Sequence, residues 1–234
     1  MKPNAPVYTG QLRKHMITVP QELGMASGIC IFGKLIKSLV FSTDVAIIRN
    51  INTDAVIAVY PFTPQPAITH SLMMAAEMPV FCGVGGGTTK GKRVTNLAQD
   101  AEFQGAMGVV LNAPTPNESI KRVASVIDIP IVITVVSEYT DIASRLKSGA
   151  SILNVSCAAK TPLIVGSIRK EFPDVPIIAT GGSTPESIRR TIDAGANAIT
   201  YTPPTTAELF RGMMVRYRDD CEAEYEASLK KRDD

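Results

Sequence analysis

Two stretches pair glycine with residues that could hold an anion. In "GGST", residues 181–184, Gly181 and Gly182 end an apolar run and lead into "PESIRR", which has the composition of a helix start. Glycine lets backbone amides approach an oxyanion, and a helix N-terminus adds a favourable dipole. In "GVGGGTTKGKR", residues 83–93, Gly85, Gly86 and Gly87 precede Lys90, Lys92 and Arg93. Successive glycine amides form an anion-holding concavity and the cations add charge, so a second phosphate or carboxylate could sit there. The glycine-to-lysine spacing of a P-loop is absent, which leaves triphosphate hydrolysis without support. The bland alternative for this loop is a mobile surface segment or lid.

Groups able to move a proton are few. Asp44 in "FSTD", Glu138 in "VVSEYT" and Lys160 in "SCAAKTP" each follow an apolar run. Asp44 and Glu138 would equally suit the first turn of a helix, where the dipole stabilises an acid. Lys160 before a helix opposes that dipole, which favours an anion-binding role or, less readily, a Schiff base with a carbonyl substrate. His15 and His70 stand away from these runs, and Cys157 has no histidine partner, so it reads as a buried thiol. Cys30, Cys82, Cys157 and Cys221 contain no C-x-x-C pair. That spacing predicts neither disulfide nor zinc site, and no metal or cofactor is expected.

The elements that carry these residues repeat. "EMPVFCGV" at 77, "DIPIVITV" at 128 and "DVPIIATG" at 174 alternate with "GAMGVVLN" at 105, "GASILNVS" at 149 and "GANAITYT" at 195. Pro79, Pro130 and Pro176 stand 51 and 46 residues apart, and Ala106, Ala150 and Ala196 stand 44 and 46 apart. With "KSLVFST" at 37 and "DAVIAVYP" at 54 the count reaches eight strands. Helical segments such as "PNESIKRVASVI" separate them. Continuous apolar strands alternating with helices require a parallel sheet covered on its faces, and eight units close into a (β/α)8 TIM barrel. The expected division is an N-terminal extension over 1–36 and a barrel over 37–234. The extension could plug the barrel bottom, cover its mouth or reach another subunit.

In such barrels the loops after the strands' carboxyl ends carry the reacting groups. Strand parity turns Asn112, Ser156 and Thr202 inward, with Asn154 and Thr200 one layer below and Gly83, Thr134 and Thr180 alongside. These polar positions favour a polar substrate, the alternative being a self-satisfied hydrogen-bond ring. The Thr-Pro pairs at 63, 115, 161 and 184 predict helix starts with Thr as cap, and Ser183 with Glu186 fits a capping box. The last segment, "AELFRGMMVRYRDDCEAEYEASLKKR", places Phe210, Met214, Tyr217, Cys221 and Tyr225 on one helical stripe long enough to meet another subunit, so a homo-oligomer is expected.

"PIIATGGSTPESIRRTIDAGANAI" resembles the seventh-strand signature of the phosphate-binding barrels, the ribulose-phosphate-binding group and the 2-keto-3-deoxy-6-phosphogluconate aldolases. The resemblance implies that Gly181 and Gly182 help hold a substrate phosphate. After strand eight those relatives usually have a glycine, where this chain has "YTPPTTAE"; Pro203 and Pro204 donate no N–H, and Thr205 and Thr206 could substitute. The aldolases carry their Schiff-base lysine at the end of strand six, where this chain has Asn154 and Ser156.

With 24 Lys plus Arg against 22 Asp plus Glu, charge gives no reason to expect nucleic acid. Lys34 and Lys37 interrupt the richest early apolar run, and Pro and polar residues stand in "MKPNAPVYTG", so neither a membrane span nor export is expected and the chain is placed in the cytoplasm. The leading expectation is an enzyme of aldolase, lyase or isomerase type acting on a small phosphorylated sugar or keto acid. A non-catalytic barrel sensing a phosphorylated metabolite is the alternative, and a hydrolase is third.

Overall fold

The computed structural model describes residues 6–8, 10–11 and 15–230. Of the expected extension, residues 1–5, 9 and 12–14 lie outside the described residues, as do 231–234 at the expected end of the barrel. An antiparallel hairpin comes first, β1 (Ile29–Ile31) and β2 (Lys34–Ile36). Eight parallel strands follow: β3 (Ser38–Phe41), β4 (Ala55–Ala58), β5 (Val80–Gly85), β6 (Gly108–Leu111), β7 (Ile131–Val135), β8 (Ile152–Val155), β9 (Ile177–Thr180) and β10 (Ala198–Tyr201). They hydrogen-bond in chain order, and β10 closes on β3. This is the (β/α)8 barrel, and each strand falls inside the apolar run that predicted it, except that β5 runs one residue beyond its run to Gly85.

Helices cover the outer face: α1 (Val45–Arg49), α2 (Pro66–Ala75), α3 (Lys92–Phe103), α4 (Asn117–Ala124), α5 (Ile142–Lys147), α6 (Thr161–Glu171) and α7 (Pro185–Asp193). Their starts differ from the Thr-Pro expectation at three of four sites. At Thr184 the hydroxyl accepts from Ser187 N, and the capping box closes with Ser187 rather than between Ser183 and Glu186. The second helix begins after Gln65, Thr115 donates to the Asn112 carbonyl, and Thr161 is itself the first residue of α6.

Inside the barrel Leu39, Ile57, Phe81, Val110, Val132, Ile152 and Ile178 form one cluster, which the hairpin residues Ile29, Ile31 and Ile36 join. Gly28 N donates to Asn197 O, just before β10, at 2.8 Å. The hairpin therefore plugs the barrel at the strands' amino ends, which selects the first of the three expected placements.

Residues 17–25 do a second job. Ile17 N donates to Asn50 O at 2.7 Å, and Val19 N donates to Asn52 Oδ1 at 2.9 Å, beside the end of α1. Leu23 joins the cluster of Ile188 on α7 and Ile199 on β10, and Glu22 pairs with Arg189 at 2.8 Å. The segment thus fills the helical layer between α7 and α1, the place an eighth helix ordinarily takes in such a barrel. The chain forms two compact units, Met1–Thr202 and Pro203–Asp234. The second unit contains one 25-residue helix, α8 (Thr206–Lys230).

Burial sets thiol reactivity. Cys82 on β5 is buried, its pKa pushed up to about 12 by desolvation and then by the charge of Asp100. Cys30 and Cys221 are exposed. Iodoacetamide at about pH 8 should label Cys30 while Cys82 reacts only after unfolding, which peptide mass spectrometry reads directly. Among the described residues no helix is long and apolar enough to cross a membrane.

Candidate functional site

The carboxyl ends of β3 to β10 form the mouth, and two cavities open there on opposite strands. Eight strands about 4.8 Å apart, tilted about 36°, make a barrel roughly 15 Å across. The first cavity, about 280 Å³, follows β8 and β9; Ala158, Ala159, Gly182, Ser183, Thr184 and Arg190 line it. The second, about 270 Å³, lies over β4 to β6 between Val59, Tyr60 and Phe62 on one side and Gly83, Gly85, Gly86 and Asn112 on the other.

The first cavity contains the predicted glycine pair, and the two glycines have different tasks. A Cβ on Gly181 would stand 2.7 Å from Ile199 Cγ2 and 3.0 Å from Ile188 Cγ1, so Gly181 is needed for the close approach of α7 to β10. Gly182 and Ser183 are exposed, and among the described residues no protein acceptor takes up their amides. Those amides precede α7, whose dipole favours an anion. Arg190 was missed by sequence reasoning. Helical side chains lean toward the N-terminus, so a long cation in the second turn can reach back to it, and that lean is the available signal.

The glycine-rich loop beside the second cavity is held in place. Gly86 N donates to Thr89 O and Gly87 N to Pro114 O, both at 3.2 Å, while Asn112 N donates to Gly85 O at 3.0 Å. The expected concavity of free amides is corrected here: Gly86 and Gly87 spend their donors on protein carbonyls. Lys90 is exposed at the loop's tip.

Between the cavities runs a directional chain of side chains. Asn154 Nδ2 donates to Thr134 Oγ1 at 3.4 Å, and Thr134 Oγ1 donates to Asn112 Oδ1 at 2.9 Å. Thr180 Oγ1 donates to Ser156 Oγ at 3.3 Å. The ring is only partly self-satisfied, since Asn154 Oδ1 and Thr200 Oγ1 are buried with no hydrogen-bond partner among the described residues. Thr202 is exposed at the end of the first unit.

The proton-transfer candidates are occupied. Asp44 caps α1, its Oδ1 accepting from Ala46 N at 2.8 Å and Ile47 N at 3.2 Å. Lys160 Nζ sits 2.7 Å from Glu138 Oε1 on the exposed rim. The hydrogen bond and charge of Glu138 raise the Lys160 pKa, opposite to what a Schiff-base lysine needs. The pair also removes the electrostatic cost of a cation before α6. Because both ends are solvated, Glu138→Gln should change the melting temperature by no more than about 2–4 °C in a denaturation scan. Cys157 Sγ donates to Val135 O at 3.4 Å, and burial raises its pKa, which disfavours the thiolate a nucleophile needs.

Thr205 is likewise corrected as an anion ligand. Its amide and hydroxyl both donate to Glu208 Oε2, at 2.7 and 2.8 Å, and Glu208 N donates back to Thr205 Oγ1 at 3.2 Å. These bonds hold the Glu208 carboxyl below its usual range. The helix supplies its own anion at the position where a phosphate was expected.

No protein-family model matches the chain, and no curated protein matches it. Solved structures do share its fold. Phosphonopyruvate hydrolase aligns with a TM-score of 0.64 at 12% identity, over 86% of each chain, and its complex with oxalate and Mg++ aligns at 0.60 and 12%, over 78% of this chain and 82% of that one. The phosphoenolpyruvate phosphomutase of Streptomyces platensis subsp. rosaceus scores 0.58 at 11% identity, over 81% of this chain and 83% of its own. The 4-hydroxy-tetrahydrodipicolinate synthase of Methylacidiphilum fumariolicum SolV scores 0.56 at 13%, over 70% and 67%. At these identities the likeness establishes the barrel and leaves the chemistry to the site.

Proposed function

We propose that the chain binds a small phosphorylated sugar or keto acid at the barrel mouth and acts on it as a lyase or isomerase. The carrying observation is the cavity at the start of α7, where the Gly182 and Ser183 amides and the Arg190 guanidinium surround space fit for an oxyanion. The remainder of the ligand would lie along Asn112, Thr134, Ser156 and Thr180, whose amides and hydroxyls suit hydroxyl or carbonyl oxygens. Glu138 is the carboxylate left to move a proton, with Lys160 Nζ paired to it at 2.7 Å. The fold neighbours support the substrate class, since their names describe chemistry on small phosphonates, phosphates or keto acids. The Mg++ of one neighbour does not transfer: among the described residues no three His, Cys, Asp or Glu side chains gather to hold a metal, so no step is routed through one.

A melting-temperature screen tests the binding. At ligand near 100 times its Kd, linkage adds about 2.7 kcal/mol, a shift of roughly 5–11 °C. A phosphorylated compound should produce that shift, and Arg190→Glu should weaken its binding at least about tenfold, near 1.4 kcal/mol. Absence of a shift across phosphate, triose to hexose phosphates and phosphorylated keto acids would remove the proposal. Gly181→Val is not a useful probe, because it would clash with Ile199 whether or not phosphate binds there.

The engagement of Asp44 as a cap favours a second reading, a barrel that senses a phosphorylated metabolite without converting it. Glu138→Gln separates the two. An enzyme should lose turnover by about 10²-fold or more while keeping its ligand shift; a sensor has no turnover to lose.

A further inference from the structure

Helix α8 is a surface in its own right. Every residue from Ala207 to Ala227 is exposed, and Leu209, Phe210, Met213, Met214, Tyr217 and Tyr225 are between 36% and 64% exposed. A helix draws most of its stability from packing an apolar face, and a soluble chain seldom leaves such a stripe in water. Phe210, Met214, Tyr217, Cys221 and Tyr225 recur at spacings of three and four along one side.

The charges along α8 are segregated. Arg211, Arg216 and Arg218 lie in the first half with a single acid, Glu208; Asp219, Asp220, Glu222, Glu224 and Glu226 follow with no cation through Ala227. Parallel pairing of two such helices would set arginine against arginine and acid against acid. Antiparallel pairing sets the basic half against the acidic half. Within the first unit Ile17 and Val19 pack against the same cluster as Tyr201, and Leu23 lies in one cluster with Ile199.

We infer that α8 is the self-association surface of this protein, pairing antiparallel with α8 of a second copy. With the two-fold axis beside Tyr217, Phe210 faces the partner's Tyr225 and Met214 faces the partner's Cys221. The same register brings Arg211 near the partner's Glu222 on one flank and Arg216 near the partner's Asp220 on the other. Cys221 stands about 10 Å along the axis from its own copy, at 1.5 Å per residue, beyond disulfide reach.

Sedimentation velocity on the full chain at about 10 µM should show a dimer, and Phe210→Glu with Tyr217→Glu should weaken association at least about tenfold without changing the barrel's near-UV signal. Arg211→Glu with Arg216→Glu should also weaken it, and adding Asp220→Arg with Glu222→Arg should restore it. In a Cys30→Ser background, Met214→Cys should form inter-protomer disulfides under mild oxidation at least about tenfold faster than Cys221 alone. A monomer at that concentration, a dimer indifferent to the Phe210 and Tyr217 changes, or equally fast cross-linking through Cys221 alone would overturn the inference.

Discussion

Alanine in place of Gly86 should lower the melting temperature by roughly 8–16 °C. The position has φ +101°, and an added Cβ would stand 2.1 Å from Asn112 O and within 2.8 Å of Asn112 N. Those are backbone atoms, so no rotamer can relieve the contact. A side chain held at positive φ costs about 1–3 kcal/mol and overpacking about 1–3 kcal/mol more; near the middle of both ranges the loss is about 4 kcal/mol, at roughly 2–4 °C per kcal/mol. Gly87 is the internal control. Its φ is +60°, but a Cβ there meets nothing within 4 Å, so Gly87→Ala should cost only about 1–2 kcal/mol. Thermal denaturation of the two variants side by side decides the matter, and equal shifts would show that the Asn112 backbone yields.

The second large effect is expected at the opposite end of the barrel. Arg169 on α6 donates to Gly195 O at 2.9 Å, Pro173 O at 2.6 Å, Val175 O at 2.9 Å and Asn197 Oδ1 at 2.7 Å. Asn197 in turn accepts from Ile177 N at 2.9 Å and donates to Ser27 Oγ at 3.0 Å. One guanidinium therefore ties the turns before β9 and β10 to the incoming N-terminal segment, and its partial burial lowers its pKa. Arg169→Ala should cost about 3–4 kcal/mol, since charge-assisted bonds contribute about 1.5–3 kcal/mol each, combine less than additively, and leave carbonyls unpaired when lost. Arg169→Lys should recover less than half, because an ammonium cannot reproduce the planar fork. Urea unfolding should show a lower midpoint with an unchanged slope.

The strands were legible because a parallel strand covered on both faces is a continuous apolar run, and the Gly-Ala and acid-x-Pro punctuation marked where β5 to β10 began. "DIPIVITV" and "GANAITYT" contain β7 and β10 whole. The hairpin was not legible as such. Its strands are three residues each, too short for a periodic signal, around a turn at Phe32 and Gly33 where both residues take positive φ. Nor could the site of residues 17–25 be read, because it depends on Asn50, Asn52 and α7 arriving in the fold. The same holds for the candidate site. Gly86 and Gly87 suggested free amides, and the acceptor that takes Gly87 N is Pro114 O on the next loop, 27 residues away. Asp44 and Thr205 illustrate the general difficulty, since a polar residue at a strand-to-helix junction suits a ligand and a cap equally well.

That residues 17–25 occupy the gap between α7 and α1 bears on the order in which the protein can mature. The ribosome makes this covering segment before any strand of the barrel, so the outer layer can be completed once β10 emerges. At about 5–20 residues per second, the stretch from Ser38 to Tyr201 takes roughly 8–33 s to synthesise, and until its end the α7 and β10 side of the first segment's seat is incomplete. Ile17 and Val19 can meet Asn50 and Asn52 early, but Leu23 has no seat until Ile188 and Ile199 are made.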